Sequence, residues 1–315
     1  SRSLTGMAAL RDVTRYRQLA ILTTVGVCLL TVAGGIVRLT GSGLGCDDWP
    51  NCNSERFVDV SSGHAAIEQV NRLLSGVIGV PTLLLAISAF RVRPQVIGLR
   101  WPAIGVLVSV LANGVVGGVA VRTDLHPALV QSHFLLAMVS VAFGIVAVHR
   151  SSSSASQAGR TTSWRSRPGQ LTAVLTSLTA VALVTGTVVT GTGPHAGEQD
   201  VRRFGFDISN VARIHSATVI AALAVAGLLA WTLRGGADSA AAVRAALSGW
   251  IFVGLLQSAV GYTQYFNGVP ELLVGTHIAL ATVLWVMTMR LFLMTVETPT
   301  PEYNTKMMLA TTARV

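Results

Sequence analysis

Charge is scarce in this chain of 315 residues: acidic and basic side chains make up 12% of it, against 51% hydrophobic residues and a mean hydropathy of +0.59. So little polar surface excludes a soluble globule of this size, and the chain reads as a polytopic membrane protein. A signal-peptide cleavage site of small residues is also missing, and the first apolar run is too long for an h-region. No cleavable leader is therefore expected, and the start at Ser1 points to a trimmed chain. A third absence is a basic patch or stripe. The net charge is +9, but the basic residues sit mainly in alternate loops, a pattern of membrane topology that speaks against a nucleic-acid partner.

Apolar stretches long enough to cross about 30 Å of hydrocarbon lie near 18–39, 64–90, 98–121, 127–148, 170–191, 208–232, 243–264 and 271–293, predicting an all-α integral membrane protein of eight helices. Arg11, Arg15 and Arg17 precede the first span. Arg91, Arg93 and Arg100 follow the second, Arg150, Arg160, Arg165 and Arg167 the fourth, and Arg234 and Arg244 the sixth. These positions belong on the cytoplasmic side, with both termini. Asp47, Asp48, Glu55, Asp59, Asp124, Glu198, Asp200, Asp207 and Glu271 fall in the intervening loops, which face outward. The Ser/Arg-rich segment 150–169 is a cytoplasmic linker that buries no core. It divides a four-helix half, 1–149, from a second, 170–294, and residues 295–315 form a cytoplasmic tail.

The two halves superpose in sequence. An offset of 144 residues sets LANGVVGGVAVRTDLHPALVQSHFLLA (111–137) over LLQSAVGYTQYFNGVPELLVGTHIALA (255–281) without a gap, and His133 falls on His277. The same offset sets Asn71 in EQVNRLL on His215 in ARIHSAT, while TGSG (40–43) and TGTG (190–193) match at a slightly different one. The expectation is two repeated four-helix bundles. At 1.5 Å per residue, Asn71, His133, His215 and His277 each lie roughly 10 Å inside the outer end of their helices.

A lone histidine in a membrane helix is satisfied by a hydrogen bond to its neighbour. Two at equal depth on alternate helices, repeated with one change, point instead to a cofactor, because four-helix bundles build such sites from facing side chains. Paired imidazoles suit heme iron; zinc lacks a third and fourth ligand at that level. In the first half Asn71 is a poor iron ligand, so a heme on His133 would keep an open or weakly filled position, which permits reaction at the metal. Glu68 lies one turn above Asn71 on the same helix face. A buried carboxyl there reads as functional, or as an ion pair with Arg72. His64 and His126 share the faces of Asn71 and His133 about two turns nearer the surface; they would touch propionates, hold a surface metal or sit as interfacial histidines.

Cys46 and Cys52 bracket DDWPN in the first outward loop and read as a disulfide pinning that loop over the site, a redox role being the alternative. Cys28, within the first span, reads as packing. Arg38 and Arg122 end the first and third spans at a depth suited to a heme propionate or to simple snorkelling.

The stretch GGIVRLTGSGLGCDDWPNC, followed by IEQVNRL, QSHF, RIHS and GTHIALA, resembles heme A synthase of the bacterial and mitochondrial type over roughly residues 20 to 293, with an actinobacterial cast. The resemblance implies an eight-helix enzyme that oxidises the C8 methyl of heme O to a formyl group, giving heme A for terminal oxidases. It implies a heme b at His215 and His277, and the substrate heme at His133. It implies a catalytic glutamate at Glu68, a cysteine pair at Cys46 and Cys52, and a complex with heme O synthase within the lipid membrane. The chain departs from the family at Asn71, where a Glu-x-x-His-Arg motif is common, and at Asp47, where proline is common. Two rival readings are a di-heme b-type electron-transfer cytochrome and a transporter with parallel repeats. The transporter reading lacks a broken, Gly/Pro-interrupted helix pair and leaves the histidines unexplained.

Overall fold

A computed structural model describes residues 2–92, 98–152, 160–162, 164–195, 197–198, 200–235 and 240–299. Arg93, most of the linker between 153 and 163, and the tail beyond residue 299 lie outside the described residues. The helices are α1 (Arg2–Leu39), α2 (Gly63–Arg91), α3 (Arg100–Arg122), α4 (Pro127–Arg150), α5 (Arg167–Thr192), α6 (Ile208–Leu233), α7 (Ala241–Phe266) and α8 (Glu271–Val296). Each is long and apolar enough to cross a membrane, α1 over Asp12–Leu39. A three-residue antiparallel ladder, β1 (Arg160–Thr162) with β2 (Glu297–Pro299), ties the linker to the end of α8.

The helix ends follow from local chemistry. Ser62, Ser166 and Asp207 cap α2, α5 and α6 by accepting from the N–H groups of Ala65, Gly169 and Asn210, which satisfies donors the helix itself leaves orphaned. Pro127 opens α4, where a missing N–H costs nothing. Helix α1 runs back to Arg2, well beyond the span expected from residue 18, because a helix need not stop where its apolar stretch does.

Helix α1 packs on α2 and α4, and α3 bridges α2 and α4; α5 and α7 pack with α6, and α8 closes on α5 and α7. The seam between the two sets runs along α1 and α4 on one side and α5 and α8 on the other. Lipid tails give apolar side chains no reason to prefer protein, so close contact and polar stitches hold such seams. A Cβ on Gly144 of α4 would lie 2.4 Å from the Thr24 hydroxyl of α1, so only glycine permits that approach. Across the seam the Trp285 indole donates to the Met138 carbonyl at 2.9 Å, and the Gln131 amide to the Thr187 hydroxyl at 2.8 Å. On the linker side Arg150 pairs with Glu297 and stacks over Trp101 at 4.7 Å, joining the end of α4 to the end of α8.

Candidate functional site

The loop between α1 and α2 is fastened from three directions. Cys46 and Cys52 form the expected disulfide, S–S 2.00 Å. Beneath it Glu68 of α2, 5% exposed, accepts the Cys46 N–H at 2.7 Å on one oxygen and Arg72 at 2.6 and 3.0 Å on the other. Arg72 spends its remaining donors on loop carbonyls: Asp48 at 2.8 Å, Asn51 at 3.0 Å and Cys46 at 3.4 Å. One guanidinium thus organises the whole loop, which suits its rigid fork of five donors. Gly45 lets the loop lie on α2, since a Cβ there would come within 2.3 Å of the His64 carbonyl oxygen.

The third fastening comes from α3. Arg122 donates to the Trp49 carbonyl and to the Asp48 carboxylate at 3.2 Å. The Trp49 ring lies where a Cβ on Gly118 would be, 2.4 Å from that position. The Trp49 N–H, and after it Arg122 and Arg72, hold the Asp48 carboxyl below the usual carboxylate range. A depressed pKa contributes stability that is present above the unfolded-state value and is lost as pH falls through the folded-state value. The loop contacts of Asp48 should therefore survive mild acid and loosen only below the ordinary aspartate range. Trp49 emission followed against pH checks this, with Asp48→Asn expected to abolish the acid transition.

Deeper in the membrane region, Asn71, His133, His215 and His277 lie six to eight residues beyond the first residues of their helices, Gly63, Pro127, Ile208 and Glu271. They therefore share one level, about 9–12 Å along the axes. The rings of His215 and His277 face each other with centroids 6.4 Å apart and planes at 69°. A metal–imidazole bond of about 2.0–2.1 Å, with about 1.2 Å more from nitrogen to ring centre, sets two opposed ligand rings about 6.4 Å apart. The pair is thus spaced for one metal between them.

A hydrogen bond fixes which nitrogen of His133 is free. Nδ1 of His133 lies 3.0 Å from the Asn113 carbonyl, which only accepts, so Nδ1 carries the proton and Nε2 is left bare, the arrangement that carbonyl partners impose on ligating histidines. Nδ1 of His215 is hydrogen-bonded with the Thr185 hydroxyl at 3.1 Å. Nδ1 of His277 is buried and has no hydrogen-bond partner. At the same level on α2, the Asn71 amide oxygen is buried and has no partner.

Other sequence-predicted residues have local partners. Arg38 donates to the Thr190 carbonyl at 2.8 Å, fastening α1 to the end of α5, while its buried Nε has no partner. His64 bonds the Ser42 hydroxyl at 2.9 Å, and His126 caps α4. Cys28 is a free, part-buried thiol packed beside Val27, Met138 and Trp285. Among the described residues no group of three or more His, Cys, Asp or Glu side chains is gathered to hold a metal ion.

Comparison with known families agrees with these features. The model of the COX15-CtaA family, cytochrome oxidase assembly protein, matches residues 17–62 and 57–289. The chain belongs to this family. The match takes in the disulfide loop, all eight apolar helices and the four residues at the common level. Among relatives, the heme A synthase of Geobacillus kaustophilus (strain HTA426) is 32% identical over 121 residues, 38% of each chain. The heme A synthases of Bacillus cereus (strain AH187) and Bacillus anthracis (strain A0248) are each 33% identical over 125 residues, 39% of this chain and 40% of theirs. These alignments span about two fifths of the relatives' length, whereas the family model reaches across both sets of helices.

Proposed function

We propose that the protein is a heme A synthase, oxidising the C8 methyl of heme O to a formyl group. The observation that carries the reading is the set of three imidazoles at one level. One, His133, has Nε2 bared by a fixed tautomer, and the other two are spaced for a single metal. Relatives bearing that name support it.

In this reading His215 and His277 hold a heme b, and His133 holds the substrate heme in the α1–α4 half. The two halves are copies of one four-helix unit, supported by left-handed turns at matching places, Asp124–Leu125 before α4 and Gly268–Val269 before α8. When bound, heme iron supplies one-electron chemistry whose potential depends on its axial ligands. The chain's part is to place and to exclude. His133 would hold the substrate heme, and Asn71, a poor iron ligand, would add no strong second hold. The loop held by Arg72 screens the outer end from water. Glu68, one turn from Asn71, would stabilise charge or handle protons at the reacting edge. The loops bearing Arg91, Arg100 and Arg165 face the cytoplasm with both termini, and the disulfide loop faces outward. A complex with a heme O synthase would pass the apolar substrate on without release.

Co-expression with a heme O synthase, followed by chromatographic and mass analysis of extracted hemes, tests the reading. Heme A or its hydroxymethyl precursor beside heme B is the expected result. Heme B alone at two per chain would identify an electron-transfer cytochrome instead. Glu68→Gln should lower heme A formation by about 100-fold or more, the usual worth of a placed acid–base group. A normal rate would remove Glu68 from the chemistry.

A further inference from the structure

Each of the three imidazoles is faced by a glycine on a neighbouring helix. A Cβ placed on Gly117 of α3 would lie 2.8 Å from Cε1 of His133 and 3.1 Å from its Nδ1. On Gly261 of α7 it would lie 3.0 Å from Cε1 of His277, and on Gly186 of α5 it would lie 3.1 Å from Cε1 of His215. The atom met first is Cε1 each time, the carbon between the two ring nitrogens. Gly117 and Gly261 also correspond at the 144-residue offset that aligns His133 with His277. By contrast Gly114, one turn before Gly117, and Gly227 on α6 face open space.

We infer that Gly117, Gly186 and Gly261 are positioning residues that seat the ligand imidazoles, an inference that rests on the heme reading above. An added methyl group acts differently on a free and a ligated ring. A free imidazole turns about two side-chain bonds and relieves a contact near 3 Å at little cost. A ring held to a metal through Nε2 lacks that freedom, the more so where Nδ1 is also bonded to a helix as in His133 and His215, so the methyl would tilt the ring or weaken its hold. Alanine also favours helix over glycine by about 1 kcal/mol, so the unloaded fold should be no less stable. Heme holding therefore weakens while the fold does not. The contact distances rank the effect: Gly117→Ala largest, then Gly261→Ala, then Gly186→Ala.

The test uses full-length protein purified from membranes, with heme content, loss of heme to apomyoglobin, the low-spin electron paramagnetic resonance signal and the heme midpoint potential as readouts. Gly261→Ala and Gly186→Ala should release heme b about 10–100-fold faster, the range typical of partners that orient metal ligands. They should also shift the largest low-spin g value, while Gly114→Ala and Gly227→Ala match the parent. Gly117→Ala should release added heme from the α1–α4 half faster and leave the His215/His277 signal unchanged. If His277→Ala abolishes the low-spin signal yet Gly261→Ala and Gly186→Ala leave release and g values unchanged, the positioning role is wrong and the heme site stands. A parent protein without low-spin heme, or a signal that survives His277→Ala, overturns both. Should Gly261→Ala fail to accumulate, Gly186→Ala, with the mildest contact, decides alone.

Discussion

Alanine at His277 should abolish the low-spin heme b signal of the α5–α8 half, and alanine at His133 should abolish heme A formation while leaving that signal in place. The two variants are expected to fail differently because, in the reading proposed above, each imidazole serves a different half. His277 and His215, 6.4 Å apart between ring centres, would share one iron, so losing His277 would leave one ligand and a high-spin iron. Asn71 is a poor iron ligand, so losing His133 would leave the substrate heme no firm anchor. Partners that merely orient a ligand are worth 10–100-fold, so deleting the ligand should cost more than about 100-fold in product. Optical and paramagnetic spectra of each variant, with extracted heme analysis, read the two effects separately. Loss of the low-spin signal in His133→Ala would mean that the assignments are exchanged. Asn71→His supplies the complementary gain, a firmer grip on the heme of the α1–α4 half and slower exchange of it.

Arg72→Ala should loosen the α1–α2 loop more than loss of any other single side chain outside the disulfide. The Arg72 and Glu68 side chains are only 17% and 7% exposed. Removing the guanidinium strands a buried carboxylate and leaves the carbonyls of Cys46, Asp48 and Asn51 without their donor. Breaking such a pair from one side costs about 3–5 kcal/mol. The expected signs are a lower thermal midpoint in detergent and a disulfide that yields to milder reductant. Arg72→Lys should recover little, because a single ammonium does not reach Glu68 and three carbonyls together. An unchanged midpoint and an unchanged reductant requirement would show that the disulfide alone holds the loop.

Much of this was legible in the chain. The span expected at 64–90 became Gly63–Arg91, and that at 208–232 became Ile208–Leu233, because an apolar window of bilayer length has few other fates. The common level of the four polar residues followed from counting along those helices. Partners across the fold were not legible. Nothing near Arg38 foretells the Thr190 carbonyl 152 positions away, and nothing near Arg122 foretells Trp49. Such pairs are set by how helices lean together. Glu68 was readable as either functional or paired with Arg72, and the structure adds a bond to the Cys46 N–H that no spacing rule describes. The glycines facing the imidazoles did leave a signal, since Gly117 and Gly261 already coincide in the aligned halves. Periodicity assigns no chemistry to glycine, so the coincidence becomes meaningful only beside the rings.

The seat of Trp49 on Gly118 bears on the order in which the molecule is made. The loop between α1 and α2 leaves the ribosome with its two cysteines, its Glu68 and its Arg72, but without the surface on which Trp49 rests or the Arg122 that grips its carbonyl. Those arrive only with α3. A nascent chain halted after α2 can close its disulfide yet still lacks the finished loop, and one carried through α3 has everything the loop requires. Completion of the α1–α2 loop is thus timed by insertion of the third helix. Chains arrested after residues 92 and 126 should differ in how quickly an added thiol reagent reaches Cys46 and Cys52, the shorter being the more open.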